Sequence, residues 1–214
     1  MAWSGGVRSV PLLSMHDEAG ERRGRREARP LMPDRRRRWA KTDATQQRIL
    51  NSATTVFRER GYSAATMGEV VTASGASIGS IYHHFGGKNE LFLAIHDHMA
   101  AVIEARIADA EHSFDAQVRA YLQTVWDYRD TAVVLSSDDV PPGFERVYRD
   151  GIRMWFREWL SVLDIDSSAA GRLLSRTVIT LLTDSAVMLM TCETPAEAEP
   201  VIEAAIALIN RLTG

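Results

Sequence analysis

Tyr82, His83 and Lys88 bring a phenol, an imidazole and an ammonium into one short stretch of chain. All three can donate hydrogen bonds to phosphate oxygens. Just ahead of them, Ser77, Ile78, Gly79 and Ser80 are mostly small residues, which let a helix approach a DNA groove closely. Residues 66–91, TMGEVVTASGASIGSIYHHFGGKNEL, must position these groups. Thr66 can cap a first helix, with Glu69 placed to reach back to the Thr66 amide as a capping box. Met67, Val70 and Val71 give that helix an apolar face. Gly75 permits a left-handed turn, and Ser77 can cap the next helix. The buried side of this second helix is Ile78 or Ile81, together with Phe85. Gly86-Gly87 then break the chain before a further helix begins near Lys88 or Asn89.

The same periodicity extends along the chain. Ile49, Ala53, Val56 and Phe57 form a stripe that predicts a helix from about Thr45 to Arg60, ended by Gly61. The helix that starts near Lys88 should run to about Ala110, with Leu91, Phe92, Ile95, Met99, Val102 and Ile103 on its face. Further helical stripes fall on Phe114–Trp126, about Thr131–Leu135, Phe144–Leu163, about Ser168–Thr191, and a last helix from Pro200. Ser136–Gly143 reads as a loop, and Pro195–Glu199 as a separate turn. There is no strand alternation and no repeat. The expected fold class is all-α, in three parts: a basic, unordered arm over 1–41, a three-helix helix-turn-helix domain over 42–88, and a helical domain over 89–214.

The first of the helical domains resembles the DNA-binding domain of the TetR family of bacterial transcriptional regulators. The matching residues run in order: Thr45, Arg48–Leu50, Ala53, Phe57, Glu59–Tyr62, Thr66, Val70, Ser74–Ser77, Gly79–Phe85, Lys88 and Glu90-Leu91. The resemblance implies that Tyr82, His83 and Lys88 touch the DNA backbone. It implies caps or close-approach roles for Thr66, Ser77, Gly79 and Ser80, some of them shared with DNA. Many members carry a polar or basic residue where this chain has Ile78, whose apolar side chain can instead meet a thymine methyl. Lys88 opposes the dipole of the helix it starts, which favours a phosphate contact over a purely stabilising role.

Charge is distributed unevenly. Residues 1–41 hold eleven basic and five acidic side chains, and the remainder fourteen and twenty-three. Two readings of the arm stay open: a solvated tail, with Met15 or Met32 as alternative starts, or a source of phosphate or minor-groove contacts. Arg35–Lys41, beside the first helix, leans to the second reading. The single cysteine, Cys192, excludes an internal disulfide and fits a cytoplasmic protein. The most apolar segment, Val178–Met190, is interrupted by Thr180, Thr183, Asp184 and Ser185 and is not expected to cross a membrane. The histidine pairs His83-His84 and His96/His98 diverge on a helix, so no metal or other cofactor is expected. No nucleophile elbow, phosphate loop or zinc-protease helix points to an enzyme.

In the helical domain, stripes of aromatic residues at helical spacing read first as packing. The family resemblance adds a second reading, in which Trp126, Tyr148, Trp155, Phe156, Trp159 and Met188 wall a cavity for a small apolar or aromatic effector. The last two helices carry more apolar surface than one face requires, which suits pairing of two chains into a homodimer. The whole then reads as a repressor on double-stranded DNA, with a palindromic operator and release by the effector. A regulator without an inducer, or a helical adaptor or enzyme with an inert helix-turn-helix, are the alternatives.

Overall fold

Helix formation starts well before the apolar stripe that announced it. α1 spans Pro33–Arg60, upstream of the expected start at about Thr45. Pro33 suits a first helical position because its missing N–H would have no partner there. Residues 33–44 are mostly polar, so no apolar stripe marks such a start. The structure, a computed structural model, describes residues 33–111, 113–146, 148, 156, 159–163 and 165–213, with side chains from residue 44 except at 161 and 162. The unordered arm expected to residue 41 is therefore corrected over 33–41, which are helical; residues 1–32 lie outside the described part.

The chain divides into two units between Ile95 and His96, inside α4. In the N-terminal unit, α1 is followed by α2 (Met67–Ser74), α3 (Ile78–Phe85) and the start of α4 (Lys88–Asp109). Its core closes on Ile49, Ala53, Val70, Ile81, Leu91 and Phe92, all fully buried. Phe57, Tyr62 and Phe92 form a three-ring cluster with centroids 5.3–5.7 Å apart. Rings at this spacing add about 0.5–1.5 kcal/mol per pair beyond their buried area. That cluster ties the end of α1 and the turn after it to α4.

The C-terminal unit contains the rest of α4, then α5 (Phe114–Asp127), α6 (Arg129–Leu135), a 3-10 turn at Leu160–Leu163, α7 (Ala169–Thr191) and α8 (Pro195–Thr213). α7 packs on α5, α6 and α8 through Val178, Leu182, Ala186 and Leu189. Arg119 of α5 holds Glu199 at 2.6 Å and also Glu203, both on α8. The helix expected over Phe144–Leu163 lies mostly outside the described residues; Phe144, Tyr148, Phe156 and Trp159 are helical where described.

One expectation needs correction. Pro195–Glu199 is the first turn of α8 and Pro200 lies inside it, not at its start. Pro195 takes the donor-free first position, and Pro200, one turn later, removes a single bond near the fraying end. α7 is long and apolar enough to cross a membrane by length and composition, with mean hydropathy 1.4, a property that a helix packed in a protein core shares. Of the polar residues expected to interrupt it, Thr183 bonds within the helix, its hydroxyl donating to the Ile179 carbonyl at 3.0 Å; Ser175 and Thr177 likewise donate to the carbonyls of Gly171 and Leu173. One face of α7 is nevertheless buried against protein.

Candidate nucleic-acid interface and inner cavity

The α2–α3 pair is built by its caps. Thr66 Oγ1 accepts the Glu69 amide at 3.2 Å, and the Thr66 amide donates to Glu69 Oε2 at 2.9 Å. These bonds, with Arg60 at 3.2 Å, hold the Glu69 carboxyl below its usual range. α2 stops at Gly75, where φ is +64° and the amide donates to the Val71 carbonyl at 2.9 Å. Any side chain at that φ would be strained, although the space is open. Two residues later Ser77 Oγ accepts the Ser80 amide at 3.1 Å and opens α3. Its hydroxyl proton remains to be donated.

α3 has two faces. Ile81 is fully buried, and Phe85 is half-buried beside it. Of the two isoleucines offered for the core, only Ile81 enters it. Ile78 is 48% exposed and Tyr82, one turn on, 49%. Gly79 and His83 form a second exposed row, with Ser80 half-buried between. An added Cβ at Gly79 would meet nothing within 4 Å. The fold therefore does not need a glycine there. His83 packs edge-on against His84, 5.3 Å away, and His84 lies 3.4 Å from Gln46 Nε2 on α1.

Lys88 departs from expectation. Its ammonium donates to the carbonyls of Tyr62 (2.7 Å), Ser63 (3.2 Å) and Ala65 (2.9 Å), and sits 4.5 Å from the centre of the Tyr62 ring. An ammonium has three protons, and all three are used. The repulsion expected from the α4 dipole is offset by the carbonyl dipoles and the ring face. Here Lys88 clamps the α1–α2 loop rather than pointing an idle charge outwards. The sequence hid this, because a side chain that bonds carbonyls more than twenty residues upstream leaves no local pattern.

The C-terminal unit holds a cavity of about 240 Å³. His96, Met99 and Ile103 of α4 line one wall, with Tyr121 of α5 and Tyr148 and Phe156 nearby. α7 adds Thr183, Ala186, Val187 and Met190, spaced as one helical stripe. Of the predicted lining residues, Tyr148 and Phe156 are in place, and Trp155 lies outside the described residues. Trp126, Trp159 and Met188 do not line it. Trp159 packs on Phe114 and Tyr121 and donates its indole N–H to Gln117 Oε1 at 2.9 Å. Trp126 lies under the Arg129 guanidinium, 5.4 Å from its ring centre. Met188 is on the outer side of α7 and 56% exposed. The α4 contribution was missed because its apolar stripe reads as ordinary packing; only the stripe's width hints at two surfaces. Burial raises the Tyr148 phenol above its usual range, partly offset by a hydrogen bond with Ser136, and raises Tyr121 further. Both phenols are neutral donors at physiological pH.

Two substitutions separate positioning from contact. Lys88→Met should lower the thermal midpoint, by the equivalent of about 1.5–3 kcal/mol, and weaken duplex binding. The slope of log K against log salt should not change; a slope reduced by about 0.9 would mark a phosphate contact instead. Gly79→Ala should leave the fold as stable or stabilise it by up to about 1 kcal/mol. Duplex affinity should nevertheless fall roughly tenfold or more. Unchanged affinity in filter binding would remove Gly79 from the interface.

The family described as bacterial regulatory proteins, tetR family, matches residues 49–95, the segment that contains both caps, Gly75 and Lys88. The chain is 47% identical over 51 residues to the transcriptional repressor AcnR of Corynebacterium efficiens, covering 24% of this chain and 27% of that protein. It is 41% identical over 75 residues to the transcriptional activator FasR of Mycolicibacterium smegmatis, covering 35% and 33%. These matches thus span about a third or less of the relatives' own length. A TetR-like regulator from a Rhodococcus species superposes with a TM-score of 0.61 at 17% identity, over 79% of this chain and 93% of that one. PfmR of Thermus thermophilus gives 0.55 at 22% identity, over 76% and 97%. At such identities the likeness speaks for the fold, which here extends through both units. Residues 49–95 thus match the tetR family of bacterial regulatory proteins, and the fold of the chain is that of TetR-like regulators.

Proposed function

We propose that the protein is a cytoplasmic, homodimeric transcriptional repressor that binds a palindromic operator and leaves it when a small molecule fills the cavity. It does this by binding, not by catalysis. The observation that carries the reading is the outward face of α3. Ile78, Gly79, Tyr82 and His83 stand clear of the fold, inside the segment that matches the family's DNA-binding domain. Tyr82 and His83 supply donors for phosphates. Ser77 adds a third from the helix start.

Pairing of two chains is supported by apolar surface that the single chain leaves uncovered. Leu173, Val187 and Met188 on α7 and Leu208 and Leu212 on α8 are exposed. Two copies of this helix pair would form a four-helix bundle, with the same patch used by both chains. Two α3 helices would then reach successive major grooves, roughly 34–36 Å apart, or a longer spacing where half-sites are spread.

The cavity supports a ligand of limited size and polarity. A cavity of about 150 Å³ holds benzene, so about 240 Å³ suits a compound of one or two rings. Among the described residues that line it there is no Asp, Glu, Lys or Arg. An ion buried there without a partner would pay heavily in lost hydration, so a neutral compound is favoured. The tyrosine phenols and Ser136 can orient one polar group. α4 runs without a break from Lys88 past the cavity residues His96, Met99 and Ile103. A ligand that prefers one setting of this helix would couple to DNA binding by about 1–3 kcal/mol.

Duplexes selected by the protein from a random pool should contain two inverted half-sites, and sedimentation should give a dimer on them. A reporter driven by such a site should be silenced. Failure to retain any duplex at low salt would reject DNA binding, and reporter stimulation would reject repression. Neutral 2-naphthol should raise the thermal midpoint and release the duplex, whereas Ala186→Phe, which fills the cavity, should abolish both effects. A shift that persists in that variant would place the ligand elsewhere.

A further inference from the structure

The composition of α3 limits how this protein can read bases. Its eight residues, IGSIYHHF, include no Arg, Lys, Asn or Gln. Those are the side chains that make paired hydrogen bonds to guanine or adenine in the major groove. Of the remaining hydrogen-bonding groups, Ser80 is half-buried, His84 is half-buried beside Gln46, and Tyr82 and His83 suit phosphates. Direct readout by this helix must therefore rest on something other than a bidentate pair.

Ile78 is the residue left for it. It occupies the first position of α3, the end that a recognition helix presents to base edges. Ile81 already fills the core side, so the fold makes little use of Ile78, which stays half exposed. The adjoining Gly79 carries no side chain, and nothing lies within 4 Å of where its Cβ would be, which permits close approach. A branched apolar side chain in a major groove has one apolar partner on the bases, the C5-methyl of thymine.

Building on the DNA-binding reading above, we propose that Ile78 sets the specificity of this protein by packing on a thymine methyl at one symmetric position in each operator half-site. Removing a contact the size of one methylene group changes affinity by about 0.8 kcal/mol, which is about fourfold. Both half-sites together give about fourteenfold.

The test uses a duplex recovered from the random-pool selection. Each thymine is replaced in turn by deoxyuridine, which removes only the methyl. Wild-type protein should lose about fourfold at one position per half-site, and about fourteenfold when both are changed. Ile78→Ala should bind the thymine duplex correspondingly more weakly and show no further loss with deoxyuridine at that position. Ile78→Val, which keeps a branched contact, should retain most of the sensitivity. Equal thermal midpoints for the three proteins would show that the losses do not come from the fold. The proposal is overturned if no thymine position responds, or if the response is as large in Ile78→Ala. Retention of no duplex by the wild type would strike the DNA-binding reading itself, a result separable from these.

Discussion

One ammonium group holds together the part of the chain that faces outward. Lys88 draws three carbonyls of the α1–α2 loop onto its protons and places its charge near the face of Tyr62. Tyr62 belongs to the ring cluster with Phe57 and Phe92, and its hydroxyl donates to Asn89. The first turn of α4 is thus bound to the residues immediately before Thr66. From Thr66 the chain has little freedom: a capping box starts α2, Gly75 turns it, and Ser77 starts α3. Charge-assisted bonds to backbone are among the stronger contacts available to a small domain. The arrangement explains why a lysine is tolerated at a helix start that would otherwise repel it.

Positioning and contact are divided between the two sides of α3. Ile81 is spent on the core, and the outer rows are left bare. The same economy appears in α7. Val178, Leu182 and Leu189 pack inward, Ala186 and Met190 reach the cavity, and Met188 stands outside. Val187 both lines the cavity and contributes to the exposed apolar surface. One helix therefore carries the core, the proposed ligand wall and the proposed dimer surface, so a change at any of them is felt by the same rigid element.

Local signals in the sequence were the legible ones. Thr66 with Glu69, Gly75, and Ser77 each act on backbone within a few residues, and each was found where the structure uses it. Helices with wide apolar stripes were also visible. What escaped depends on distance or on polarity. The start of α1 has no apolar stripe to mark it, Pro200 is tolerated inside a helix that Pro195 has already begun, and the clamp by Lys88 joins residues far apart in the chain. In the aromatic set, periodicity identified the right helices but not which ring faces space. Trp159 and Phe156 differ by three positions, yet only Phe156 reaches the cavity. A side-chain direction of that kind is decided by neighbours from other helices, such as Gln117.

The central claim is that the outer face of α3 enters the major groove of a duplex. Dimethyl sulfate reports the two grooves separately, through guanine N7 in the major groove and adenine N3 in the minor. The account predicts protection of guanine N7 in two patches on one face of a selected duplex, related by its dyad, with α3 surface variants losing that protection first. Protection confined to adenine N3, or a footprint unchanged by substitutions at Ile78, Gly79 and Tyr82, would contradict it.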